Sequence, residues 1–125
     1  MENIYIGVDG GGTKTKILIE DEAGALIGQA RTGPANIRTS YEQAWQSVYE
    51  GVLAALVESH INFADTHYQF HAGLALAGTE DPEASAHFLS KVQGLTSVKL
   101  ASDAYAACLG VHDRADGAII IVARV

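Results

Sequence analysis

Near the N-terminus the segment Asp9-Gly10-Gly11-Gly12-Thr13-Lys14-Thr15 stands between two short apolar runs, residues 4–9 and 15–20. The β-branched, alternating character of both runs marks two strands, so the glycines occupy a strand-to-strand turn. Three consecutive glycines let a backbone turn so tightly that several N–H groups can face one anion with no Cβ in the way. Thr13, Lys14 and Thr15 add hydroxyl and ammonium donors, and Asp9 ends a buried strand where one carboxylate can hold Mg²⁺ through water. The spacing fits neither G-x-x-x-x-G-K-[ST] nor G-x-G-x-x-G, which excludes the common nucleoside-triphosphate and dinucleotide loops. A different grip on phosphate is expected, made by Gly10, Gly11, Gly12, Thr13, Lys14 and Thr15. An ordinary glycine-rich hairpin turn is the alternative, and it leaves the Asp and Thr-Lys-Thr flanks unexplained.

Beyond the loop, Asp21-Glu22-Ala23-Gly24 is a turn, and residues 26–32 read as a third strand that Gly33-Pro34 ends. Three strands at hairpin spacing predict an antiparallel meander. Thr39-Ser40-Tyr41-Glu42 matches a capping box, and Tyr41, Trp45, Val48, Val52 and Leu56 recur at helical spacing to about residue 60. Residues 71–77 form a fourth strand of small and apolar residues, as expected where both faces are covered. Asp81-Pro82-Glu83 opens a second helix ending near Gly94, with aspartate as cap and proline in the first turn. Residues 97–100 are a fifth strand, residues 104–111 an alanine-rich helix, and residues 117–122 an apolar last strand. The order βββαβαβα predicts an α/β domain: a mixed five-stranded sheet with helices on both faces, its later strands parallel because helices connect them.

A chain of 125 residues, 48% hydrophobic and 18% charged, suits one globular domain. Its net charge of −7 includes no basic run, which argues against nucleic acid or an acidic membrane surface as partner. No secretory leader or apolar span is evident, so a cytoplasmic location is expected. Cys108 is the only cysteine and excludes an intrachain disulfide. The five histidines lack paired metal-ligand spacing and receive no role. Tyr41, Trp45 and Tyr49 lie on or near the packing face of the first helix and read as core.

Residues 8–15 resemble the first phosphate motif of the superfamily that contains acetate kinase, the sugar kinases and actin. Within it, the segments 33–37 (GPANI), 73–78 (GLALAG) and 102–110 (SDAYAACLG) resemble the BadF/BadG/BcrA/BcrD ATPase and N-acetylglucosamine kinase family, on the side of its glucosamine kinases. The resemblance spans residues 4–122 and implies an actin-like, ribonuclease H-like fold. It also implies ATP and Mg²⁺ as cofactors and phosphorylation of an amino sugar at its 6-hydroxyl, glucosamine first and N-acetylglucosamine second. By position alone Asp103 is a helix N-cap or a functional carboxylate; the resemblance implies the general base that also contacts the sugar. It likewise implies that Asn36, otherwise a turn asparagine, holds the hexose, with Ala77, Gly78 and Thr79 lining the same cleft. An activator-type ATPase with a cysteine-ligated cluster is a second reading, which a single cysteine within a helix serves poorly. A phosphate- or sugar-binding module without catalysis is a third.

The family continues after its residues 117–122 equivalent with a second phosphate loop and a second domain, where this chain reads Ala123-Arg124-Val125. The expected division is therefore residues 1–116 as the N-terminal domain and 117–125 as the first strand of a curtailed second one. In this form the chain is expected to be inactive, and its last apolar strand, left as an exposed edge, to drive homodimer formation or other self-association.

Overall fold

A computed structural model describes residues 1–102 of the chain. Seven elements follow in order: β1 (Glu2–Gly10), β2 (Thr15–Glu20), β3 (Leu26–Thr32), α1 (Tyr41–Val57), β4 (Tyr68–Leu76), α2 (Pro82–Lys91) and β5 (Ser97–Ala101). They build one five-stranded sheet ordered β3-β2-β1-β4-β5. β1, β2 and β3 form the expected antiparallel meander, and β4 and β5 continue the sheet in parallel from β1. Asp103, Cys108, His112, the helix expected at 104–111, the strand at 117–122 and the division after residue 116 all lie outside the described residues.

The strands alternate between two faces, and one face carries the core. Ile4, Ile6 and Val8 of β1, Ile17 and Ile19 of β2, and Phe70, Ala72, Leu74 and Leu76 of β4 join a single buried cluster. Full burial of side chains of this size stabilises the fold by about 1.5–3 kcal/mol each. α1 completes the cluster with Ala44, Val48, Val52, Ala55 and Leu56, and α2 adds Phe88, which meets Trp45 edge-on at 6.2 Å between centroids. Both described helices therefore cover the same face. Close seating of α1 depends on Gly28: a Cβ there would lie 1.9 Å from the Ala55 carbonyl oxygen.

Element boundaries depart from expectation where tertiary pairing acts. β1 and β4 each start earlier than their apolar runs because they pair in parallel from Glu2 and Tyr68 onward. The cap of α1 is one residue later than the expected Thr39 box: Ser40 is the N-cap and its hydroxyl oxygen accepts from Gln43 N at 3.1 Å. Thr39 instead belongs to a turn wound by Asn36, whose Oδ1 accepts from Arg38 N and Thr39 N. α1 ends at Val57, short of the expected residue 60, as His60 takes a left-handed conformation and Ile61 N returns to the Leu56 carbonyl. α2 stops at Lys91, and Gly94, with φ +87°, lies against the Phe63 ring.

Candidate functional site

At the carboxyl end of β1 lies a pocket of about 330 Å³ lined by Asp9, Gly11, residues 13–16 and Arg31. The glycine loop forms its rim as a four-residue hairpin turn, closed by Gly11 N donating to the Lys14 carbonyl at 2.9 Å. The amides of Gly12 and Thr13 at the tip make no backbone hydrogen bond among the described residues. The three glycines serve different ends. Gly10 is buried, and a Cβ there would be 2.8 Å from both Ala35 Cβ and Leu76 Cδ2, so it is required by packing. At Gly11 the nearest atom to an added Cβ is 3.9 Å away and at Gly12 nothing lies within 4 Å, while neither has a positive φ. Neither packing nor backbone conformation demands glycine at 11 and 12, and the space beside them leaves room for close approach of a ligand.

Thr15 takes a different part from the donor to an anion expected of it. It is buried, and its hydroxyl donates to the Gly33 carbonyl at 2.8 Å, anchoring the loop that follows β3. Thr13 and Lys14 remain exposed at the tip, and Lys14 forms no ion pair among the described residues. Two cations absent from the motif reading join them. Asp9 pairs with Lys16 across β1–β2, and Lys16 with Arg31 across β2–β3, so the three stand in one row on the sheet face away from α1. Alternation from Thr15 places Lys16 on that face, but reaching Arg31 requires the β2–β3 register, which a bulge at Ile19/Glu20 shifts.

Among the described residues the pocket gathers three of the eight lysines and arginines of a chain whose net charge is −7, against one carboxylate. Such a balance favours an anion. No group of three or more histidine, cysteine or acidic side chains that could hold a metal occurs among the described residues. Asp9 alone, exposed at the strand end, fits a magnesium ion that takes its other ligands from water and phosphate.

Of the residues expected at the sugar, the segments carrying Asn36 and Ala77 adjoin this loop. Ala77 N donates to the Gly10 carbonyl, Ala35 N to that of Gly11, and Ile37 N to that of Ala77. Asn36 and Ala77 form a parallel bridge, so the chain after β3 and the end of β4 are tied to the base of the glycine turn. Gly78 has φ +92°, and a Cβ there would lie 2.8 Å from Asn36 Oδ1 and from Arg38 N. Its close approach is thus to the Asn36 turn. With Oδ1 held by that turn, Asn36 keeps its amide nitrogen as a donor for a ligand. Thr79 gives its carbonyl to the Ser85 hydroxyl at 3.2 Å, and an exposed Arg38–Glu80 ion pair at 3.3 Å spans the two segments.

A glycine-rich hairpin loop on a 3-2-1-4-5 mixed sheet, continued by parallel strands that helices connect, defines an α/β domain of the actin-like ATPase type. A profile of the BadF/BadG/BcrA/BcrD ATPase family matches residues 6–124, and the chain belongs to that family. It is 40% identical over 119 residues, 95% of its length, to glucosamine kinase GspK of Vibrio cholerae. A crystal structure provisionally described as an N-acetylglucosamine kinase from Chromobacterium violaceum superposes with a TM-score of 0.73 at 30% identity over 88% of the chain. The chain spans 40% of the first relative and 38% of the second. Among the described residues no helix is long and apolar enough to cross a membrane.

Proposed function

We propose that this chain is the phosphate-binding part of an ATP-dependent amino-sugar kinase, which transfers the terminal phosphate of ATP to the 6-hydroxyl of glucosamine. The observation that carries the reading is the open glycine turn faced by Lys14, Lys16 and Arg31 in an otherwise acidic chain. The kinship with a glucosamine kinase supports the choice of acceptor.

Phosphoryl transfer depends chiefly on positioning the two substrates and neutralising charge on the transferred group. The amides of Gly12 and Thr13 and the three cations supply fixed positive potential for the phosphates. Asn36 donates to a sugar hydroxyl from a turn that fixes its orientation, and Asp103 accepts the proton of the 6-hydroxyl as general base. Magnesium held between Asp9 and the phosphates would neutralise further charge. Ala77, Gly78 and Thr79 form the wall on which the Asn36 turn rests.

N-acetylglucosamine is the second reading, favoured by the structural relative. The test is a hybrid in which residues 1–125 replace the matching part of the Vibrio cholerae kinase. Release of ADP that depends on glucosamine, with N-acetylglucosamine slower, is expected. A folded hybrid that binds ATP yet phosphorylates neither sugar refutes the proposal.

A further inference from the structure

The row Asp9–Lys16–Arg31 crosses three neighbouring strands with its carboxylate at β1 and its cations at β2 and β3. Neighbouring strands lie about 4.8 Å apart, so the row spans roughly 10 Å. A single orthophosphate meets only one end of such a row. An anion whose charges are strung along several ångströms can meet the loop tip and Arg31 together and leave Asp9 to a cation.

We infer that Arg31 is a positioning residue for the phosphate donor, holding the part of a polyphosphate chain remote from Asp9, so that the pocket prefers a triphosphate to a single phosphate. The inference rests on the phosphate-pocket half of the kinase reading and is independent of the sugar. Arg31 suits the task chemically, because its planar guanidinium can hold two phosphate oxygens at once. It is exposed near the end of β3, the edge strand, and forms no ion pair among the described residues. It is not part of the described core cluster.

The test measures binding of ATP, inorganic tripolyphosphate and orthophosphate to residues 1–125 by calorimetry, with Arg31→Ala and Arg31→Lys beside the parent. The parent is expected to bind both long anions more tightly than orthophosphate. Arg31→Ala should weaken ATP and tripolyphosphate by roughly 10- to 100-fold, the range for lost charge-assisted hydrogen bonds, while orthophosphate changes by less than about twofold. Arg31→Lys should recover part of the loss, since the charge remains and the fork does not. In the hybrid kinase the same substitution should raise KM for ATP with kcat little changed, a split that general misfolding would not give. If Arg31→Ala binds tripolyphosphate as the parent does, the role of Arg31 is overturned and the pocket stands. If the parent binds none of the three anions, the pocket reading fails and takes the inference with it.

Discussion

At the scale of single residues, the three adjacent glycines separate packing from ligand clearance. Gly10→Ala drives a methyl group into Ala35 and Leu76 and should cost about 1–3 kcal/mol of stability. Gly12→Ala meets open space, so it should leave the unfolding temperature nearly unchanged while weakening ATP binding. Paired thermal melts and titrations check this, and equal stability losses at both positions would defeat the distinction. The motif was legible as a string, but not its division of labour: Gly10 and Thr15 serve contacts with segments 18 or more residues away in the chain. His71 offers a second measurement. Asn3 Oδ1 can only accept, so His71 Nε2 carries the proton at 2.9 Å and Nδ1 accepts from the Ser97 hydroxyl at 2.7 Å, with the ring stacked on Tyr5. Burial holds the imidazole below its ordinary value of 6.5. Protonation is then harder in the folded than in the unfolded chain. Stability should fall as pH drops below 6.5 and stop falling, on this account, once pH passes the lowered folded value. Chemical denaturation of His71→Gln across that range should give a shallower dependence; an identical slope would exclude His71 as its source.

At the scale of elements, the fit of α1 against the hairpin decides how firmly the site is held. α1 lies on β2 and β3, and Ser47 ties its hydroxyl to the Pro34 carbonyl at 2.7 Å while Thr32 donates to the Ser47 carbonyl at 2.8 Å. These bonds fix the segment that carries Asn36. Gly28→Ala should push the helix outward from Ala55 and cost about 3 kcal/mol or more, beyond ordinary overpacking because the obstacle is backbone. Denaturant unfolding measures it, and a loss under about 1 kcal/mol would mean that α1 shifts without strain. The meander, both helices and the parallel strands were legible from periodicity and turn residues. What escaped was set by pairing: the earlier starts of β1 and β4, the cap at Ser40, and the bulge that brings Arg31 beside Lys16. A local pattern carries no information on register across a bulge. The same limit explains why Gly78 reads as a ligand contact in the sequence while its neighbours in space are Asn36 and Arg38.

At the scale of the whole molecule, the described pocket has walls from three adjacent strands of one sheet and lies on the face away from the two described helices. In-line phosphoryl transfer requires that donor and acceptor be held in a fixed relation, and such positioning is worth several kcal/mol of the barrier. A single wall can attract a phosphate chain by charge without holding its terminal phosphorus against a sugar hydroxyl. Residues 1–125 alone are therefore expected to bind ATP weakly and to form no glucosamine 6-phosphate, whereas the hybrid with the remainder of the Vibrio cholerae kinase forms it. In that hybrid Asp103→Asn should lower turnover by roughly 10²- to 10⁴-fold with little change in sugar affinity, as removal of a general base requires. Asparagine caps a helix as well as aspartate does, so a mere cap would leave turnover within about a few-fold of the parent. An isotope assay with labelled ATP follows both proteins. Transfer by residues 1–125 alone, free of contaminating kinase, would show that one wall is enough for catalysis.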